Sequence, residues 1–551
     1  MSKKRLIYAV LVLIFLLLLI VAGYRGVNGN VQTVMTENAS RSLESGHTDS
    51  DLLLLEKLEN SENDGSVSAA ELHKNPGEDD SKTESKKMVE PQETDETEKN
   101  YEEIVDTIDQ LLTYGTSDFY EHYPVDESFF LWLEARYGNA TLRNIVRHLK
   151  VGKASQNLWY RMTGASMHVL WLEFCKDYQY QTWRLDNVTW KDAAESGKVT
   201  IDFVGDINFD PRWHTMKYAK KQGGITSCIS EDILKELKSA DITMVNNEFC
   251  YTKEKKSQEG KAYSFKANPK NVKLLEEFGT DIVSLANNHT CDYGEQGLLD
   301  TMDALTKEGI VYSGAGRNLA EASAVQYFVA GGRKIAFVSA TEIERFYHYT
   351  KKAGEKTPGV LKTQQKEVVL SAITEARANS DYVIMFVHWG AEGKIKQDSD
   401  QRALAQEYAA AGVDAIIGSH PHRLQGVEFV DDVPVVYSLG NFWFSTGTLY
   451  ATIAQIQINP DGVLKIRLFP CEQKGKKTRL LKKEDECKAF YQYVADLSDG
   501  VQINEDGVFD EWDESATFTV PPAYRSGRQY GQHFDNADLE LRNIDVVGNL
   551  Q

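Results

Sequence analysis

At 551 residues the chain is too long for one ordinary domain and implies two or three. With 42% apolar and 26% charged residues it can build folded cores, and 39 glycines against 12 prolines exclude a collagen-like or proline-rich architecture. Lys and Arg total 61 against 82 Asp and Glu, a formal charge of -21, which argues against a general binder of nucleic acid backbones. Six cysteines and no C-x-x-C are too few for a disulfide scaffold.

Lys3, Lys4 and Arg5 precede an uncharged apolar run of 19 residues from Leu6 to Tyr24. At about 1.5 Å per residue this run just spans a hydrocarbon core of roughly 30 Å. A cleaved signal peptide usually has a shorter apolar region ending in an A-x-A-like site; this one ends in VAGYR. Residues 1–25 therefore read as a cytoplasmic start and an uncleaved transmembrane helix, with the remainder extracytoplasmic. Residues 26–100 are polar. Over 51–100, 15 Asp or Glu stand against 6 Lys, the composition of a disordered acidic stalk. From 101 to 190 the spacing in EEIVDTIDQLL, ESFFLWLEARYG, ATLRNIVRHLK and ASMHVLWLEFCKDY predicts a small helical module. His122, His148 and His168 sit in it without a ligand pattern.

Over 191–491 short apolar strands alternate with helical stretches, from VTIDFVGD, ISEDILKEL and ADITMVNNE to SDYVIMFVHWG, RALAQEYAAAG and VDAIIGSHPH. This alternation predicts an α/β domain with a largely parallel inner sheet. The crowded strands at 435–468 predict a mixed portion. Residues 492–551 are an acidic, weakly patterned C-terminal extension.

Side chains just beyond the carboxyl ends of such strands converge on one crevice. Here Asp206, Glu248, Asn287, Asn288, His289, His388, His420 and His422 end five separate apolar segments, and they include four of the 12 histidines. Carboxylate and amide oxygens with imidazole nitrogens suit divalent Zn, Mn or Fe. The set exceeds one tetrahedral site. It would serve two ions about 3.5–4 Å apart with a bridging carboxylate, a pair that activates water and neutralises an oxyanion. In His420-Pro421-His422, residues i and i+2 of an extended backbone would project to one side. No phosphate-binding G-x-x-x-x-G-K-[ST] and no G-x-S-x-G is present.

Taken together and in order, FVGDINF, VNNEF, SLANNHTCDYG, VHWGAE, GSHPHRLQGVE and YSLGNF resemble the CapA (PgsA) family of poly-gamma-glutamate capsule biosynthesis proteins, a branch of the calcineurin-like metallophosphatase superfamily. The resemblance spans roughly 199–445. It implies a four-layer α/β/β/α sandwich and one or two divalent metal ions. Asp206 and His422 would bind the first metal, Glu248 would bridge, and Asn288, His388 and His420 would bind the second. His289 would be the partnering acid. Asn208 would also be a ligand of the first metal, standing where a classical phosphoesterase carries the His of D-x-H, a change that should weaken the first site. Asp292 would orient His289 or cap the following helix, and Arg423 would hold an anionic group. Glu392 would support His388, Asn441 would order the crevice, and Lys266 would approach an anion. Cys471 and Cys487 could close a disulfide loop.

Three functions follow as expectations. The first is a membrane-anchored extracytoplasmic protein of poly-gamma-glutamate synthesis or export, whose metal site handles an anionic polymer beside a membrane synthase or export complex. The second is a divalent-metal-dependent phosphoesterase or other hydrolase acting on a cell-surface ester. The third is a non-catalytic wall-associated structural protein. None of the three engages nucleic acid.

Overall fold

The computed structural model describes residues 95–114, 123, 125–150, 157–178, 187–192, 197–344 and 349–511. Two sheets form its centre. One has the strand order Lys477–Leu480, Leu464–Lys474, Leu449–Ile458, Val199–Ile207, Ile242–Asn247, Ile282–Ser284, Val311–Ser313. From Val199–Ile207 to Val311–Ser313 its pairs are parallel, and the Leu449–Leu480 strands join antiparallel. The other has the order Val188–Trp190, Gln326–Ala330, Arg333–Thr341, Tyr382–His388, Ala415–Ser419, Val433–Val436, Val427–Val430. Its three central pairings are parallel.

Strand periodicity explains the layering, because successive side chains point to opposite faces. Tyr382, Ile384 and Phe386 enter the core between the sheets with Ile201, Phe203, Met244 and Phe337. Their neighbours Val383, Met385 and Val387 instead meet Val369, Ile373 and Ala405 of the outer helices Lys366–Asn379 and Ser399–Ala411. Val204 and Val245 likewise turn outward to Ile233, Leu237, Leu298 and Met302 of Glu231–Ser239 and Gly294–Lys307. The result is a helix, sheet, sheet, helix sandwich. Local signals agree with it. Helix Ser399–Ala411 opens on a capping box in which Asp398 and Gln401 satisfy each other's backbone N–H groups, and it stops at Gly412, φ 105°.

The helical stretch before the sandwich has its own core. Leu142, Ile145, Val146 and Leu149 share one face of Asn139–Lys150 and pack with Phe129, Trp171 and Phe174. His168 is held by Tyr123, whose hydroxyl is 2.6 Å from its Nδ1, and His148 Nδ1 is 2.8 Å from Asn144 O; His122 lies outside the described residues. Helix Asp95–Tyr114 begins inside the stretch whose composition reads as stalk. Helix Glu484–Leu497 runs across residue 492 and, with the hairpin Val501–Ile503/Phe509–Glu511, adds Phe490, Val494, Val501 and Phe509 to the inter-sheet core.

Two expectations need correction. No helix among the described residues is long and apolar enough to cross a membrane. The transmembrane helix, single-pass placement and membrane partner expected from Leu6–Tyr24 are therefore not supported; that run, like residues 26–94 of the expected stalk, lies outside the described residues. The six cysteines are all free, Cys471 and Cys487 included.

Candidate metal centre

Parallel register gathers the site. In one sheet Asp206 lies abreast of Asn246, with Glu248 just past the end of that strand. In the other, Thr341, His388 and Ser419 lie abreast. Asn441 pairs with Asp206 from the second side. That last approach requires Gly205: a Cβ there would stand 2.0 Å from Gly440 O, so two backbones cross where a side chain cannot fit.

The two sheet ends meet through polar atoms. Asn246 Nδ2 donates to Asp206 Oδ1 at 2.6 Å and lies 3.3 Å from His388 Nδ1. His388 Nε2 is 2.9 Å from Asn288 Oδ1, 3.0 Å from His420 Nδ1 and 3.5 Å from Glu248 Oε1. His422 Nδ1 is 3.0 Å from Asp206 Oδ2 and 2.8 Å from Asn441 Oδ1, and its Nε2 is 4.0 Å from Glu248 Oε1. Two ligand triads result among the described residues: Glu248, His388 and His420, and Asp206, Glu248 and His422. Within each, one ligand atom per residue lies within 4.8 Å of the other two. Glu248 belongs to both.

The fit to a cation is chemical as well as geometric. Both oxygens of Glu248 and Oδ2 of Asp206 are buried and accept no well-aligned hydrogen bond among the described residues. Buried carboxylate oxygens left so are costly, and a divalent ion would satisfy them. Burial, reinforced by the Asp206 charge, pushes the Glu248 carboxyl well above its ordinary range. Burial and the neighbouring imidazoles push His388 and His420 well down, which keeps them neutral and able to donate a lone pair. Burial opposes charge on His422 too, but Glu248 and Asp206 prevail and push it up to about 10.

His289 closes the site on a third side. Its Nδ1 is 2.8 Å from Asp292 Oδ2 and its Nε2 is 4.0 Å from Glu248 Oε1. Asp292 also accepts from Phe265 N at 2.7 Å and faces Lys261 Nζ at 2.8 Å, and helix Gly294–Lys307 has no side-chain cap hydrogen bond. Rings pack behind the imidazoles: Phe265 lies 4.6 Å from His289, Phe444 lies 4.8 Å from His422, and Trp213 touches both phenyl rings.

Other expected residues sit differently. Asn208 uses its Oδ1 to accept Asp210 N at 2.8 Å, leaving its buried Nδ2 without a partner among the described residues. Arg423 donates to His422 O at 3.0 Å. Lys266 lies over the Tyr293 ring and donates to Glu254 O. His388 takes its Nδ1 partner from Ser419 Oγ at 2.9 Å, while Glu392 is exposed and its charge acts on Glu248 and His422. The His-Pro-His segment is not extended: His420 and His422 adopt φ of 100° and 56°, and this left-handed turn brings their rings to 5.8 Å. Asn246, Ser419 and Lys261 escaped the sequence reading. The first sat in view in VNNEF, and the others carry no pattern of their own.

With the anchor unsupported, the reading of a membrane-held accessory in polymer synthesis or export loses its structural basis, and the metal centre becomes the functional feature to explain. Comparison with known proteins agrees on the family. Residues 200–446 match the model of the bacterial capsule synthesis protein PGA_cap. The PGA biosynthesis protein CapA of Bacillus subtilis is 30% identical over 296 residues, 51% of this chain and 76% of that protein. The capsule biosynthesis protein CapA of Bacillus anthracis is 30% identical over 317 residues, 56% and 75% of the two chains. A crystal structure of a phosphatase from Mycoplasma pneumoniae aligns over 54% of this chain and all of its own, at 14% identity and a TM-score of 0.33, a likeness too loose to carry argument. The chain belongs to the CapA family of bacterial capsule synthesis proteins.

Proposed function

We propose that the protein is a divalent-metal-dependent hydrolase of phosphoesters. The observation that carries this reading is Glu248, a buried carboxylate with two unsatisfied oxygens shared by two ligand triads. Asp206, Glu248 and His422 would hold one ion; Glu248, His388 and His420, with Asn288 beside His388, would hold a second. Mn, Zn or Fe suit these donors. Such ions supply Lewis acidity toward a phosphoryl oxygen and lower the pKa of bound water.

The chain's own residues do the rest. Asp292 accepts from the Nδ1–H of His289 and so aims Nε2 at the site; the imidazolium form, protonated on both nitrogens, is the one that hands its Nε2 proton to a leaving oxygen. Asn208, its Oδ1 already engaged, offers a buried N–H to a substrate oxyanion. The rings of Phe265, Phe444 and Trp213 shield His289 and His422 from bulk water. The names of the Bacillus relatives point to capsule-polymer biosynthesis as the setting in which to look for the natural ester.

The test is metal analysis of the full chain, paired with hydrolysis of p-nitrophenyl phosphate and bis(p-nitrophenyl) phosphate. One or two ions per chain are expected, with turnover removed by a chelator, restored by Mn, and lost in Asp206→Ala and His420→Ala. A metal-loaded chain that hydrolyses neither a monoester nor a diester sinks the proposal.

A further inference from the structure

Between strands Cys250–Tyr251 and Lys266–Ala267 the sequence KEKKSQEGK over 253–261 reads as a solvated charge run. One of its lysines behaves otherwise. Lys261 keeps only 6% of its side chain exposed, and its Nζ is 2.8 Å from Asp292 Oδ1 and 3.3 Å from Glu344 Oε1. The same ammonium donates to the backbone carbonyl of Asn288. The rest of the loop grips the same turn. Gln258 N donates to Asp292 O at 2.9 Å, the Gln258 amide donates to Cys291 O and Tyr349 O, and Phe265 N donates to Asp292 Oδ2.

We propose that Lys261 is a positioning residue that acts through Asp292 on His289. The inference rests on the reading of His289 as proton donor. Asp292 and Glu344 share the Lys261 ammonium, so removing it takes the ion-pair partner from both, and Lys362, whose charge also acts on Glu344, remains on that side. Asp292 then turns from its place, which loosens the acceptor that fixes the His289 ring and its tautomer. The Asn288 carbonyl loses a donor at the same time, although Thr350 Oγ1 still donates to it at 3.1 Å. A lysine in an apparent surface loop thus ties the acid side of the site to the chain that covers it.

The test uses the full chain carrying Lys261→Met, Asp292→Asn, both together, or Lys261→Arg. Metal content and thermal unfolding check integrity. The 15N imidazole shifts of His289, assigned with His289→Gln, report its tautomer directly. The expected result is an altered His289 signal in Lys261→Met and a kcat on bis(p-nitrophenyl) phosphate lower by roughly 10–100-fold, with KM nearly unchanged. The double variant should fall no further than Asp292→Asn, and Lys261→Arg should recover part of the loss. An unaltered His289 signal in Lys261→Met, or additive losses in the double variant, overturns the proposal. If Lys261→Met does not fold, Lys261→Gln, which keeps a donor without the charge, carries the same readout. Should the wild-type chain hydrolyse no ester, the proposed function falls, while the imidazole signal still decides the role of Lys261.

Discussion

Replacing Glu248 with Gln should stabilise the metal-free protein and abolish its response to metal. In the empty site Asp206 and Glu248 oppose one charged imidazole, His422, while burial holds His388 and His420 neutral. Asp206 alone can balance His422, so Glu248 is the surplus charge. The sign follows from linkage. The Glu248 carboxyl is raised in the fold, so its ionisation costs stability as pH climbs above the unfolded value of about 4.3. His422, pushed up to about 10, contributes stability that is full below about 6.5 and lost as pH rises through 10. At pH 7 the variant sheds the first cost and forfeits part of the second gain. Relieving an unsatisfied buried group is worth about 1–3 kcal/mol, so a net gain of about 1–2 kcal/mol is expected. With about 2.1 cal/mol/K of unfolding entropy per residue, that is roughly 1–3 °C for a unit of this size. Metal at a hundred times its Kd should raise wild type by about 2.7 kcal/mol and the variant by little, inverting the order. Calorimetry after chelator dialysis, then with Mn added, measures both numbers. A variant less stable than wild type in chelator, yet stabilised as much by Mn, would refute the assignment of Glu248 as a shared ligand.

His289→Gln should lower kcat by roughly 10²–10⁴-fold while leaving metal content unchanged, because the ring donates a proton without holding an ion; loss of metal in that variant would contradict the role. Asn208→Ala should raise KM about tenfold with little loss of metal, as expected for a donor to an anionic substrate, and depletion of one ion would instead make Asn208 a ligand. Gly205→Ala should destabilise the chain by about 1–3 kcal/mol in denaturant titration, since the new methyl meets Gly440 O at 2.0 Å and forces Asp206 away from Asn441. An unchanged midpoint would show that the two backbones can separate freely.

Strand–helix alternation makes an α/β domain legible, whereas the four-layer sandwich is what the motif resemblance implies; the structure shows how the two faces of each strand divide between its layers. Val383, Met385 and Val387 alternate with Tyr382, Ile384 and Phe386, and the polar residue that ends the run, His388, lies where the alternation stops. Asp206 was found by the same logic. What periodicity cannot encode was missed or misread. The His420 and His422 rings meet through a left-handed turn, and no strand rule predicts a positive φ at a non-glycine residue. Ser419, the actual Nδ1 partner of His388, looks like any strand-end serine, and register alone reveals it. Lys261 was hidden by its neighbours, since burial of one cation within a charge run depends on the Asp292 and Glu344 carboxylates brought from elsewhere in the chain. Helix Glu484–Leu497 crosses residue 492 for a similar reason: its Val494 and Leu497 cover the inter-sheet core from a region that composition assigns to a tail.

The two triads should not load alike. Glu248, His388 and His420 meet in full burial, and both imidazoles are already neutral, so an ion entering there displaces no proton from either ring. Asp206, Glu248 and His422 form the looser set. His422 is 15% exposed and protonated at pH 7, and Asn208, nearest in sequence to Asp206, has committed its oxygen to Asp210 N. Binding at this second triad must expel the His422 proton, which makes its apparent affinity climb with pH. Calorimetric titration of the chelated chain with Mn at pH 6, 7 and 8 should therefore resolve a tighter step whose pH dependence comes from the raised Glu248 carboxyl alone and a weaker one that strengthens with pH through release of the His422 proton. His422→Ala should remove the weaker step and spare the tighter one. Loss of the tighter step in that variant, or two steps with the same pH slope, would mean that the neutral imidazoles of His388 and His420 do not set the order of filling.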